Sequence, residues 1–234
     1  MRLKREKLRR DFKYMGQIQI IVEGMTASGK STIANLLAEK LGFKLMPEEF
    51  RDTYDLLSKF HHETQEAHAP NTHFKWAFPM QLNFLATRFS QYLCASEEDN
   101  YILDRSVFGD KVYASLYYKQ GYFSDSQFGA YLTLYDSLLR YIKEPRLLIL
   151  TRCPIDEILR RIKSRGRQDE IDAGENYWRL LYDAYMPFLD FIKSEINIKN
   201  ILELDISDPK FISTPERVNK FLDEVKSYFP ERFN

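Results

Sequence analysis

The sequence has no excess of either charge: 34 Lys plus Arg stand against 34 Asp plus Glu. A general nucleic-acid coat is usually basic, so that class is demoted and no nucleic-acid partner is expected. Long apolar runs are missing as well. None approaches the roughly 18 residues of a membrane-spanning helix, so no membrane partner is expected either. Cysteine is scarce. Cys94 and Cys153 stand in no metal or redox spacing, and read as two buried thiols in a reducing compartment. The first ten residues carry Arg2, Lys4, Arg5, Lys7, Arg9 and Arg10 against Glu6 alone. They lack the apolar centre and small-residue cleavage site of a secretory signal. Residues 1–16 therefore read as a solvated basic extension, with a cytoplasmic location following and an organelle address left open.

What is present describes a globular chain. Of 234 residues, 44% are hydrophobic and 29% charged, enough to bury a core without disulfides or structural metals. Aromatics are abundant, with 17 Phe and 15 Tyr. Strand-like and helix-like segments alternate, the pattern of an α/β fold with a parallel sheet. Short apolar runs at Gln17–Glu23, Phe43–Met46, Tyr101–Leu103, Leu147–Leu150 and Ile201–Ile206 predict five strands. Helical spacing covers Lys30–Leu41, Phe74–Leu93 (with Pro79 as its start or a kink) and Phe128–Ile142. It covers Pro154–Lys163, Tyr177–Ile192 and Pro215–Phe229 as well. Arg51–His73 is polar and reads as a helix running into a surface loop. All four histidines, His61, His62, His68 and His73, fall there in no standard zinc spacing, so an exposed insertion is expected. One domain, residues 17–234, is expected.

Gly24-Met25-Thr26-Ala27-Ser28-Gly29-Lys30-Ser31 matches the phosphate-binding loop G-x-x-x-x-G-K-[ST], and Thr32 follows. A β-branched strand precedes it and an amphipathic helix follows, the context the motif requires. Its backbone N–H groups and the helix N-terminus attract phosphate. Lys30 would bridge the β- and γ-phosphates, and Ser31 would offer a hydroxyl to Mg²⁺. That predicts a nucleoside triphosphate site without fixing a reaction. The base-reading N-K-x-D of GTPases is absent, since Asn219-Lys220-Phe221-Leu222 lacks the acid. The third strand ends Asp104-Arg105-Ser106, not in the Asp-Glu of motor ATPases. A small phosphotransferase is favoured.

Four blocks in order carry a resemblance. They are the phosphate loop; Lys75-Trp76-Ala77-Phe78 with Gln81 and Arg88; Asp104-Arg105-Ser106; and Arg161 through Arg165-Gly166-Arg167-Gln168-Asp169-Glu170. From about Gln17 to about Ser207 the sequence resembles the deoxynucleoside kinase family, the deoxycytidine, deoxyguanosine and deoxyadenosine kinases. The resemblance implies a P-loop kinase with a five-stranded parallel sheet flanked by helices and a short Arg-rich lid around residues 160–172. It implies transfer of the γ-phosphate of ATP-Mg²⁺ to the 5′-hydroxyl of a deoxynucleoside, and commonly a homodimer.

Residue by residue, Glu48 matches the carboxylate that takes the proton from the 5′-hydroxyl; its neighbour Glu49 stays open as the alternative. Arg105 would hold the reacting oxygen and phosphate, and Asp104 would act near Mg²⁺ through water. Arg161, Arg165 and Arg167 would close over the triphosphate, while Glu170 would accept the sugar 3′-hydroxyl. Gln81 would pair with the base edge. Arg88, seven residues on and so on the same helical face, would join it with Asp110. In the family that Arg–Asp pair marks members accepting purines or deoxycytidine. Trp76 and Phe84 are candidates for stacking on the base. One departure is clear: the family's Tyr about eleven residues before the Gln is Pro70 here, and counting from Leu56-Leu57 puts His61 in its place. Two other readings stand open, a monophosphate kinase of thymidylate-kinase type with Arg51 near the acceptor phosphate, and a non-enzymatic nucleotide-binding protein.

Overall fold

Five runs of branched and apolar residues form the five strands, and all pair in parallel in the order β2-β3-β1-β4-β5. The computed structural model describes residues 16–49, 54–65, 74–196 and 198–233. The basic extension over residues 1–15, Arg51, His68, Pro70 and His73 lie outside them. The strands are β1 (Ile20–Glu23), β2 (Lys44–Met46), β3 (Tyr101–Asp104), β4 (Leu147–Arg152) and β5 (Ile201–Asp205). Register runs Ile20↔Ile102 between β1 and β3 and Ile20↔Leu147 between β1 and β4. The strand carrying the glycine loop is therefore central. The connections reverse direction around it, which opens a crevice at the carboxyl edge of the sheet.

Helices cover both faces. On one, α1 (Lys30–Leu41) and the late helix Pro215–Ser227 enclose Val22, Ile33, Leu37, Ile149, Phe221 and Val225. On the other, Ile21, Tyr92, Leu103, Leu148, Ile162 and Leu181 pack together. A third, aromatic cluster beside the sheet joins Phe60, Phe123, Tyr117, Tyr131 and Tyr135. It packs α2 (Leu56–Gln65), α3 (Ala77–Ala95), α4 (Asp110–Lys119) and α5 (Asp125–Leu139) into the wall of the crevice. Among the described residues no helix is long and apolar enough to cross a membrane.

Departures from the sequence expectation have local causes. Pro79 lies in the first turn of α3, where its missing N–H leaves no gap and makes no kink. Helix α5 starts three residues earlier than expected, at a capping box: Ser124 Oγ accepts from the Gln127 N–H at 3.2 Å, and Ser124 N–H donates to Gln127 Oε1 at 2.9 Å. The expected Tyr177–Ile192 helix is divided. After α6 (Ile155–Arg165) and the short α7 (Gln168–Asp172), α8 runs from Gly174 to Tyr185. Pro187 then removes an N–H and clashes one turn back, and the chain resumes as Phe188–Phe191 and a π turn. Helix α4 was not expected as an element. Cys94 is exposed, so only Cys153 is the expected buried thiol. The expected exposed histidine insertion fails at His61, which is buried on α2, while His62 is exposed.

Candidate active site

The glycine loop leaves β1 through Gly24, whose φ of +152° lies outside the usual range of other residues. A Cβ there would meet the Thr151 carbonyl oxygen at 2.8 Å and its hydroxyl at 2.3 Å. The carbonyl is part of β4 and cannot move aside, so Gly24→Ala should cost at least tenfold in ADP affinity by titration calorimetry, roughly 1.4 kcal/mol or more. Ser28 Oγ bonds Thr151 Oγ1 at 2.7 Å and fixes the back of the loop. Lys30, buried at the start of α1, donates to the Met25 carbonyl at 3.0 Å across the loop. Burial, then the neighbouring Arg105, brings its ammonium down to about 8.

Opposite the loop, the turn after β2 presents Glu48. Its Oε1 lies 2.6 Å from Arg105 Nε, an ion pair too bent for a hydrogen bond, and accepts from Arg88 Nη2 at 3.2 Å. Burial would raise this carboxyl, but Arg105, Arg88 and Lys30 overcome it and hold it at about 2. The Glu48 side chain keeps 31% of its surface open. Glu49 does not line the crevice; its carbonyl accepts from Gln91.

Behind these groups lies Asp110, wholly buried at the first turn of α4. It accepts from Gln81 Nε2 at 2.6 Å, from the Tyr131 hydroxyl at 2.6 Å and from Arg88 Nη1. A buried carboxylate needs such pairing. One helical face of α3 thereby sets both Gln81 and Arg88. Arg105 has φ +73°, a strained conformation for a branched-off side chain of this size. Glu23, the last residue of β1, holds it there. The fully buried Glu23 carboxylate accepts from Ser106 N–H at 3.1 Å, Ser106 Oγ at 2.9 Å and Gly24 N–H at 3.1 Å, and lies 3.6 Å from Arg105 Nη1. Tyr185 accepts from Arg105 Nη1 at 2.8 Å.

The basic segment lies across the mouth. Arg161 donates to Glu157 at 2.8 Å and to the Ile206 carbonyl at 2.6 Å. Arg165 and Glu170, expected to serve different substrates, here pair with each other at 2.5 Å, and Arg167 approaches Glu170 at 3.4 Å. His61 lines the same crevice, edge-on to Tyr177 at 6.0 Å. Burial pushes its imidazole down, against the pull of Asp169, Asp172 and Glu170.

Most of these groups line one cavity of about 790 Å³. It brings together Thr26, Ala27, Gly29, Lys30, Ser31 and Thr32 with Glu48, Gln81, Arg88, Asp104 and Arg105, and with Arg161, Arg165, Arg167 and Glu170. Phe84 joins them. Trp76 does not: it sits at the start of α3 between Lys59 and Lys75, 4.9 and 4.5 Å from its ring. Asp110 reaches the cavity only through Gln81 and Arg88. Gly24, Met25 and Ser28 face a smaller pocket of about 200 Å³ behind the loop. Sequence reasoning missed Glu23, Tyr113, Tyr185 and the loop after β5, where Asp208, Phe211 and Ile212 extend the cavity beyond the glycine loop. A charged residue closing an apolar strand was the available signal for Glu23, and helical spacing from Asp110 the signal for Tyr113.

The model of the deoxynucleoside kinase family matches residues 20–230. The deoxyadenosine/deoxycytidine kinase of Bacillus subtilis (strain 168) is 29% identical over 212 residues, 89% of this chain and 91% of that protein. The deoxyguanosine kinase of Lactobacillus acidophilus is 27% identical over 215 residues, 88% of each chain. The structure of deoxyadenosine kinase from M. mycoides with bound dATP superposes with a TM-score of 0.72 at 21% identity, covering 90% of this chain and all of that one. With the glycine loop, the strand order and the Asp-Arg-Ser strand end in one crevice, the chain belongs to the deoxynucleoside kinase family.

Proposed function

We propose that the protein transfers the γ-phosphate of ATP to the 5′-hydroxyl of a deoxynucleoside, with a purine deoxynucleoside or deoxycytidine as acceptor. The observation that carries this reading is Glu48, an ionised carboxylate facing Lys30 across one cavity and gripped by two arginines. The backbone of residues 24–30 and the Lys30 ammonium bind the β- and γ-phosphates. Arg161, Arg165 and Arg167 close over them and balance charge that develops during transfer. Glu48 takes the hydroxyl proton, and Arg105 holds the reacting oxygen and phosphate. Gln81 and Arg88 present planar donors and an amide acceptor to the base edge, with Phe84 along it. Glu170 and His61 lie toward the sugar 3′-hydroxyl. For Glu170 this requires its grip on Arg165 to open as the triphosphate recruits that arginine.

The donor set suits a hard divalent cation. Ser31 offers a hydroxyl, and Asp104 Oδ1 is buried with no hydrogen-bond partner among the described residues. Mg²⁺ bound with ATP would be held by Ser31 and, through water, by Asp104, and would neutralise the phosphate charge.

The test is a coupled ATP assay over deoxyadenosine, deoxyguanosine, deoxycytidine, thymidine and the matching monophosphates. Turnover is expected on a purine deoxynucleoside or deoxycytidine and none on monophosphates, whose dianion Glu48 repels. Turnover on monophosphates alone would discard the acceptor assignment. The protein is also proposed to pair with a second copy through α3 and α5, where Leu134 is exposed. Ultracentrifugation should then give about twice the 27.9 kDa chain mass; a species at the chain mass at micromolar concentration would count against it.

A further inference from the structure

Donor and acceptor sites of a kinase must both be filled before transfer is useful, and a physical link between them would make filling one favour the other. Such a link crosses the cavity at Tyr113. This tyrosine lies three residues after Asp110 on α4, and so on the same face of that helix. Its ring stands by both acceptor-side arginines, with the guanidinium carbons of Arg88 and Arg105 at 5.9 and 5.4 Å from the centroid. Tyr185, which receives a hydrogen bond from Arg105, packs edge-on against the ring at 5.9 Å. The far end of the same side chain leaves the acceptor group altogether. The Tyr113 hydroxyl meets Thr26 Oγ1, in the glycine loop, at 3.1 Å.

Thr26 sits between two fixed points of the loop. Its neighbour Ala27 takes the left-handed conformation, φ +59°, and Met25 on its other side receives the Lys30 ammonium. A hydrogen bond that fixes Thr26 fixes the direction of the N–H groups that meet phosphate. An acceptor that shifted Arg88 or Arg105 would press on the Tyr113 ring, which joins both to the loop through Thr26.

We propose that Tyr113 is a positioning residue that ties the phosphate loop to the acceptor pocket through Thr26, so that an acceptor in place tightens the grip on the donor. The acceptor half of this rests on the proposed deoxynucleoside reading; the hold on the donor loop does not. The experiment titrates ADP into the wild type, Tyr113→Phe, Thr26→Val and the double variant, each with and without deoxyadenosine or deoxyguanosine in excess. Tyr113→Phe keeps the ring against both arginines and removes only the hydroxyl. One neutral hydrogen bond is worth about threefold to tenfold in ADP affinity. Each single variant should lose that much, and the double variant no more than the worse single one, because both remove the same bond. The tightening of ADP by the deoxynucleoside, present in the wild type, should vanish in all three. Unchanged ADP affinity in Tyr113→Phe, or losses that multiply in the double variant, would overturn the hold on the loop. Absence of tightening in a wild type that does phosphorylate the deoxynucleoside would overturn the coupling. If no deoxynucleoside is phosphorylated, the functional reading fails, while the ADP comparison still decides the role of Tyr113.

Discussion

Glu48→Gln lowers turnover by about 10²- to 10⁴-fold, the scale of one positioned proton acceptor, and leaves ADP affinity within about threefold. The substitution keeps the shape of the side chain and removes its charge and its ability to take a proton. Both cations meet the same oxygen, Oε1, through Arg105 Nε and Arg88 Nη2. That leaves Oε2 for the acceptor hydroxyl. A carboxyl held at about 2 is a weak base toward a free alcohol. As the bond to phosphorus forms, however, the attacking hydroxyl becomes acidic enough for a weak base, and a carboxylate already bonded to it aligns the oxygen and takes its proton as transfer proceeds. Two arginines that depress the carboxyl therefore do not contradict its role; they keep it ionised and aimed.

The same grip sets a pH dependence. A depressed carboxylate is charged above its folded value and loses that charge only as pH falls through it. With Glu48 at about 2 in the ligand-free protein, no acid limb of kcat/KM from this group is expected between about pH 4 and 8. In Arg105→Gln the largest downward influence is gone, so an acid limb should move up into the measurable range, alongside a fall in turnover. A Glu48→Gln variant with near-normal turnover would remove Glu48 from proton transfer. An acid limb that stays in place in Arg105→Gln would remove the arginine from control of Glu48.

The chemistry nearest the donor was legible because backbone geometry dictates it. A loop that wraps phosphate needs glycine where φ is positive, as at Gly24 and Gly29, and a strand and helix on either side write their own periodicity. The three inner strands β1, β3 and β4 were legible because a central parallel sheet is buried on both faces and writes short apolar runs. The edge strands β2 and β5 keep exposed positions, and were legible from Leu45 and Met46 and from the alternation of Ile201-Leu202-Glu203-Leu204. The acceptor wall was legible only by resemblance. Helix α4 has Asp110, two lysines, three tyrosines and a serine among ten positions, because it packs a buried carboxylate and an aromatic ring beside its few aliphatic residues. Its periodicity is correspondingly weak. Trp76 shows the converse failure. A large ring five residues before Gln81 suggested a base contact, but its position at the start of α3 turns it toward Lys59 and Lys75. His61 was misread because the polar stretch around it hides one face of a helix that closes on the aromatic cluster, with Phe60 beside it fully buried. Glu23 is passed over by a hydrophobic count: the charge closing an apolar strand marks the position, but its role is given only by Ser106 and Arg105 converging on it.

Asp110→Ala is expected to have the largest effect on stability, because it removes the shared acceptor of three buried donors. Arg88 Nη1, Gln81 Nε2 and the Tyr131 hydroxyl all point at one carboxylate with no solvent access. Removing one partner of a buried ion pair costs about 3–5 kcal/mol, since the surviving charge stays buried. For a domain of this size that is a fall in melting temperature of about 6–20 °C. Arg88 retains Glu48, which limits the loss, but the arginine is then drawn away from the base and toward the catalytic carboxylate. kcat/KM on the preferred base should drop by at least 10²-fold, with the added pull on Glu48 contributing to kcat. Arg88→Leu combined with Asp110→Ala separates the two effects. With the buried cation gone, much of the stability should return, whereas selection of the base should not, because the guanidinium that would read it is absent. A double variant no more stable than Asp110→Ala would mean that Gln81 and Tyr131, not Arg88, are what Asp110 is there to satisfy. The pair would then be a packing device at the back of the pocket and not the element that sets its base preference.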